Sequence, residues 1–376
     1  MRAWPRSHGS ALVCALVVAA LTMGPGTAAS QDTSPGGAAA ATPGESLPVE
    51  TLVLSNGMRV LTLPRPGAPT VAFVVQYSVG GVHERLGTTG IAHLLEHLLF
   101  KGSTTIGTTD VAAERALFGL MDAVHDSLMA AKAASPVDTV RTTRLPSRIR
   151  ELEDSARTYV VANEFDQILT RAGARGLNAS TGPDTTQDYY SLPANRIELW
   201  AMIESGRMRN TILRQFYKEK EAVKEERRMR VDSSPQGHLF LTLMSTAFKA
   251  HPYSWPVVGW ASDIPMYTLD QAKEYFATFY APNNITGVLA GSFDPAAVKP
   301  LLERYFGRIP RGETDPPPVV NLEPEQIGEK RYNAEAETSP TVRIWWKGTP
   351  FVHKDMAVLD LLSDVMTGRT GRLYKG

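Results

Sequence analysis

Residues 93–103 read HLLEHLLFKGS. They close a longer run, TGIAHLLEHLLF (89–100), that is apolar all round except at His93, Glu96 and His97, a pattern that predicts a buried helix. Residues four apart in a helix lie one turn above each other, so His93 and His97 project from one face with Glu96 at its edge. In that register two imidazoles can grip one ion while the carboxylate reaches a water on it. The alternative is two satisfied core histidines beside a salt-bridged glutamate. Burying three unpaired ionisable groups among Ile91, Ala92, Leu94, Leu95, Leu98, Leu99 and Phe100 would cost several kcal/mol. A metal removes that cost.

The order His-x-x-Glu-His is the reverse of H-E-x-x-H and is the inverted form of the zinc-peptidase motif. Zinc in a catalytic site takes three protein ligands and keeps a fourth position for water, so a third ligand is needed from elsewhere. The segment FYKEKEAVKEERRMR (216–230) offers one. Glu219, Ala222, Val223 and Glu226 follow the i, i+3, i+4, i+7 spacing of one helix face, with Lys218, Glu221, Lys224, Glu225 and Arg228 on the others. A solvated, salt-bridged helix explains Glu221 and Glu225. It explains Glu219 and Glu226 poorly, because carboxylates beside an apolar stripe need a cation or a metal. The spacing leaves open which of the two touches metal.

Upstream, VETLVLSNGMRVLTLPRP (49–66) alternates apolar residues on both sides of Asn56-Gly57 and predicts a β-hairpin, with VAFVVQYSVGG (71–81) as a third strand. Residues 109–172 are rich in Ala, Glu and Arg and predict two or three amphipathic helices broken at Ser135-Pro136 and near Leu145-Pro146. GLNAST (176–181) reads as a strand; 193–208 and 213–231 read as helices. Thr268 to Gln271 forms a capping box for a helix reaching Tyr280. NITGVLAGSFD (284–294) reads as a buried strand. Residues 309–330 are Pro- and charge-rich and read as a linker; beyond it TVRIWWKG (341–348) predicts a strand and DMAVLDLLSDVM (355–366) a helix, the start of a second domain over 331–376.

The chain has 376 residues, 43% hydrophobic and 21% charged, enough for one or two globular domains. Lys+Arg and Asp+Glu balance at 39 each, which gives no electrostatic argument for nucleic acid. Residues 1–30 combine a basic start, the apolar run ALVCALVVAALTMG and small residues near Ala29, and are read as a secretory signal peptide. That run is short of the approximately 20 apolar residues of an anchor. Residues 31–48 are Gly/Ala/Pro/Ser-rich and read as a flexible lead-in. The protein is therefore expected to be exported, periplasmic or secreted, with no transmembrane anchor after signal cleavage. The single cysteine, Cys14, lies inside the signal, so the mature chain has no disulfide, thiolate nucleophile or cysteine–zinc site.

Taken together, GIAHLLEHLLFKGS, LNASTGPDTTQDYY, KEKEAVKEERRM, HPYSWPVVGW, YAPNNITGVLAGSFD and LLSDVMTGRTGRLYKG resemble the pitrilysin-type inverted-motif zinc peptidases, relatives of insulin-degrading enzyme and the mitochondrial processing peptidases. The resemblance implies an α+β fold, a mixed and largely antiparallel sheet with helices packed on it, as a catalytic domain over 49–308. It implies one zinc ion held by His93, His97 and Glu226, with Glu96 as general base and Glu219 supporting the site. Asn178 and Ala179 would lie along a bound peptide substrate. From His97 to Glu226 is 129 positions, about fifty more than the family pattern usually has, which marks 109–172 as a helical insertion. Family members carry a second, similar domain, of which this chain has only the start. Either the sequence is a fragment, or the missing half would come from a second copy or a paralogous partner subunit. Asp188 stands where the family usually has an aromatic.

The expected function is zinc-dependent endopeptidase. The competing readings are a non-catalytic or partner-dependent subunit of a peptidase complex, and a zinc-stabilised peptide-binding factor. Trp345-Trp346 are expected to pack on the second domain, and Arg227, Arg228 and Arg230 to form a solvated face. His83, His125, His238, His251 and His353 are given no role.

Overall fold

Gly57, with φ of +89°, turns the chain between β1 (Glu50–Val53) and β2 (Arg59–Pro64), which pair antiparallel as the Asn-Gly signal predicts. The Asn56 side chain anchors the turn by donating to the carbonyls of Phe306 and Ile309. These features come from a computed structural model describing residues 47–371. The signal and most of the lead-in lie outside the described residues. Two compact units are present. The larger holds Pro48–Pro317 with Asn321–Ile327; the smaller includes Gly328 onward.

The larger unit is built on a six-stranded sheet of order β1-β2-β6-β3-β5-β4, adding β3 (Thr70–Tyr77), β4 (Arg175–Thr181), β5 (Thr186–Pro193) and β6 (Ile285–Gly291). Only β2 and β6 run parallel. Strands β3 and β6 are central, and their alternate residues Val71, Phe73, Val75, Tyr77, Ile285 and Leu289 are buried. Helices follow in chain order: α1 (Ile91–Leu99), α2 (Val111–Ala133), α3 (Thr139–Arg157), α4 (Glu164–Arg171), α5 (Ile197–Arg209), α6 (Phe216–Arg227), α7 (Pro235–Ala247), α8 (Leu269–Phe279) and α9 (Pro295–Tyr305). The capping box that opens α8 is formed as read, Thr268 to the Gln271 amide and Gln271 back to Thr268. The smaller unit contains α10 (Met356–Thr367). Among the described residues no helix is long and apolar enough to cross a membrane.

Several boundaries depart from the sequence reading. Helix α3 runs through Pro146 without a break. Proline there removes one backbone bond, but the Asp138 cap and the buried Ile149, Leu152 and Ala156, facing α2, hold the turns on either side. Pro193 ends β5, a 3-10 turn follows over Ala194–Arg196, and α5 starts at Ile197. Leu213 and Gln215 adopt positive φ, so α6 cannot begin until Phe216, and past Arg227 the chain makes a π-helical turn over Arg228–Asp232. Residues 341–349 form no strand, since an extended segment needs neighbouring strands to take up its backbone groups.

Helix α1 is placed by its N-terminus. The buried Glu84 carboxylate accepts from the amides of Gly90 and Ala92, and Asp263 accepts from Gly87 and from the amide and hydroxyl of Thr89. Gly90 has φ of +91°, and a Cβ there would stand 2.6 Å from the Val258 carbonyl, so the approach of the two loops requires glycine. On the sheet, Asp188 of β5 is buried. It pairs with Arg207 at 2.6 Å, which also pairs with Glu204, and the guanidinium lies over the rings of Phe100 and Phe165.

The segment 109–172 forms α2, α3 and α4, and α2 docks on α6 and the turn before it through polar contacts. Glu114 pairs with Arg214, the Tyr217 hydroxyl donates to Asp122 at 2.6 Å, and Lys220 lies 3.4 Å from His125 Nε2. Lys220 is buried and donates to the carbonyls of Pro265 and Tyr267. Burial holds its amine down to about 7, against about 10.4 in an unfolded chain. Between these values the unfolded chain binds more protons, so the penalty is complete below pH 7 and fades as pH rises. Wild type should gain stability over Lys220→Met, on the order of a few kcal/mol, between pH 7 and 10 in urea unfolding. Parallel curves for the two proteins would contradict a neutral Lys220.

Candidate metal centre

His93 and His97 stand one turn apart on α1, their ring centroids 4.8 Å apart and nearly perpendicular. Glu226, near the end of α6, brings Oε2 to 3.6 Å from His93 Nε2 and 3.4 Å from His97 Nε2. The three donor atoms lie within 4.8 Å of one another, the one such group among the described residues. Tetrahedral zinc with bonds of about 2.0–2.1 Å needs donors about 3.3–3.4 Å apart, close to both distances from Glu226 to the histidines, and the donor types suit that ion.

The electrostatics agree with this fit. Burial pushes the His93 imidazole down to about 4, so it is neutral near pH 7 with a lone pair to offer. Its other nitrogen, Nδ1, is buried with no hydrogen-bond partner among the described residues. His97 behaves oppositely: hydrogen bonds to Glu219 and Glu226 raise it to about 9. A proton on His97 and a divalent cation would compete for the same carboxylates, so binding of the cation would release the proton. Glu226 is held below the usual carboxylate range, mainly by its bond to His97.

The two glutamates of α6 occupy different positions. Glu219 approaches His97 from behind, Oε2 at 3.5 Å from Nδ1, and its Oε1 takes Lys101 Nζ at 2.9 Å. A carboxylate on the remote nitrogen of a ligating histidine fixes the ring and its tautomer. Glu226 faces the donor cluster with one oxygen and holds Arg230 at 2.7 Å with the other. Of the expected inward stripe, Val223 is buried but Ala222 is exposed.

Glu96 stands at the edge of the cluster, outside the three-donor group. Its Oε2 accepts a short hydrogen bond from the Thr181 hydroxyl on β4. Burial raises its carboxyl above the usual range, while Thr181 and His97 pull it back. Asn178 and Ala179 lie on the same strand, which is at the sheet edge and so leaves one row of backbone groups without a strand partner. The Asn178 amide donates to the Tyr189 hydroxyl and accepts from the Ala179 amide.

Four contributors were not legible as such. Lys101 sits inside the opening motif and Thr181 at the end of GLNAST, and both types could have been asked what they bond. The arginines were read as a solvated face. Arg228 and Arg230 are exposed, but Arg230 pairs with Glu226. Arg227 is buried, donates to the Gly259 carbonyl at 2.6 Å and lies over the Trp260 ring. Its position at i+4 from Val223 on the inner face explains this.

Residues 59–125 match the family described as "Insulinase (Peptidase family M16)", and residues 267–375 the "Peptidase M16 inactive domain". A zinc protease named PqqE of Helicobacter pylori is 27% identical over 323 residues, covering 84% of this chain and 60% of that protein. The crystal structure of a protease from Helicobacter pylori superposes with a TM-score of 0.66 at 25% identity, over 87% of this chain and 67% of that one. The periplasmic protease PqqL of Escherichia coli shares the fold, with a TM-score of 0.54 at 18% identity over 76% of this chain and 26% of that one. The chain spans about half to two thirds of the length of the curated relatives it matches.

Proposed function

We propose that the chain, whose segments match the M16 peptidase families of insulinase and pitrilysin type, is an exported zinc-dependent endopeptidase that hydrolyses extended peptides, with Glu96 as its general base. The observation that carries this reading is the convergence of His93, His97 and Glu226 on one point beside a separate, half-buried Glu96.

Zinc held by these three residues would supply a Lewis acid that lowers the pKa of water from 15.7 toward about 7 and polarises a carbonyl. The chain's own groups do the rest. Glu96 takes the proton of the attacking water and returns it to the leaving amine. The Thr181 hydroxyl holds Glu96 Oε2 and leaves Oε1 to act. Glu219 and Lys101 keep the His97 ring aimed, and Arg230 fixes the carboxylate of Glu226. A peptide adding as a strand beside Asn178 and Ala179 gains main-chain hydrogen bonds without much side-chain selectivity.

The test is cleavage of a quenched peptide library by the mature chain, with and without a candidate partner subunit. Cleavage should disappear with a zinc chelator and return on adding one equivalent of zinc. Cleavage that persists after the metal is stripped would contradict the proposal.

A further inference from the structure

Where the inserted helices pack on α6, a cavity of about 240 Å³ lies between α2, α3, the turn before α6 and the start of α8. Its apolar lining comes from Phe118 and Met121 of α2, Ala156 of α3, and Leu213, Phe216 and Leu269, all of them buried except the half-buried Phe118. Leu213 has φ of +50°, a conformation that a residue other than glycine holds only where its surroundings enforce it. An apolar cavity of about 150 Å³ takes benzene, so this one has room for a fused ring system of about nine or ten heavy atoms.

Most polar groups of the lining are committed to one another. Arg214 pairs with Glu114 and donates to the carbonyls of Lys101, Ile106 and Ser103. Arg157 pairs with Asp154, and the Tyr217 hydroxyl donates to Asp122. Glu153 takes the backbone amide of Lys218, which lies in the first turn of α6 and so has no acceptor within its own helix. The other oxygen of Glu153, Oε1, is buried with no hydrogen-bond partner among the described residues. A buried acceptor left unmade is costly, so a donor brought to it gains more than one brought to an exposed carboxylate. Arg150 and Lys218 are exposed and stand at the rim. An anion inside would meet Glu153, and a cation would have to pass the two rim charges. A neutral group with one donor meets neither penalty.

We propose that this cavity is a binding site for a neutral, fused-ring aromatic group of the indole kind, its rings among Phe118, Met121 and Phe216 and its N–H donating to Glu153 Oε1. Such a group comes either as a free small molecule or as the tryptophan side chain of a peptide. The second source rests on the peptidase reading, since Val160, Gln215 and Lys218 line both this cavity and the cleft beside Glu96 and His97. Two of the walls are α2 and α3, so the site exists only because the helices are inserted.

The test is calorimetric titration of the zinc-loaded chain with indole, which donates, and with 1-indanone, a ring system of similar size that only accepts. At about pH 8, where a glutamate is ionised, indole should bind saturably. Indanone should bind about tenfold more weakly, the worth of a hydrogen bond to a charged acceptor. In Glu153→Gln the side-chain oxygen stays with the Lys218 amide and the NH2 group turns to the cavity, so the preference should reverse. Ala156→Leu places a larger side chain in the cavity and should weaken both ligands by about tenfold. The Glu153→Gln comparison decides the matter even where Ala156→Leu fails to fold. No saturable binding of indole by wild type up to its solubility, or equal indole affinity in wild type and Glu153→Gln, overturns the proposal. The source is read on the Glu96→Gln chain. Displacement of indole by a peptide containing tryptophan, and not by the same peptide with alanine there, assigns the group to the substrate; indole that stays bound assigns it to a free ligand. Failure of the peptidase reading would show separately, as wild type that leaves every peptide uncut yet still binds indole.

Discussion

Replacing Glu96 by Gln should leave zinc in place and lower peptide hydrolysis by about 10²–10⁴-fold, the usual worth of a positioned general base. The amide has the shape of the carboxylate and can still accept the Thr181 hydroxyl, so the surroundings of α1 and β4 need not change. It lacks the basic oxygen that takes the proton of water. Glu96 is outside the three-donor group, so its loss should not release the ion. Steady-state rates on one cleaved peptide, with metal analysis of the same preparation, decide the matter. A variant that keeps its zinc and more than a tenth of the wild-type rate would remove Glu96 from the role of base.

Much of the arrangement behind that expectation could be read along the chain. The hairpin at Asn56-Gly57, the capping box at Thr268 and the helix carrying His93, Glu96 and His97 are local patterns whose physics is complete within a few residues. The division between Glu219 and Glu226 was not legible from spacing. Both lie at helical intervals from the same stripe, and only the packing of α6 against α1 turns one toward His97 Nδ1 and the other toward both Nε2 atoms. The resemblance to a family favoured Glu226, and the geometry sets the two apart.

The misreadings share a cause. Proline 146 breaks a helix by its local chemistry, yet α3 continues because α2 packs along it. TVRIWWKG has a strand's composition, but a strand depends on partners that composition does not describe. Arg227 looked solvated because charge runs usually are, whereas the Gly259 carbonyl and the Trp260 ring make its buried place tenable. Asp188, read only as a departure from the family pattern, is a separate case. It is one arm of a buried Arg207, Asp188 and Glu204 cluster, in which all three charges depend on one another.

The larger consequence of the α6 geometry concerns the ion itself. Glu226→Ala removes the third donor and leaves two imidazoles, beside which Glu219 is turned away to Lys101 and the far side of His97. The expected result is a chain without zinc and without hydrolysis. Glu219→Ala removes a support for His97 and should weaken zinc by only about 10–100-fold, the usual cost of losing an outer carboxylate. The measurement that separates these is zinc per chain, by elemental mass spectrometry, after equilibration with a competing chelator of graded strength. The expected result is one zinc in wild type, retention in Glu219→Ala at mild competition and none in Glu226→Ala under the same conditions. Full zinc in Glu226→Ala, with loss in Glu219→Ala, would contradict it.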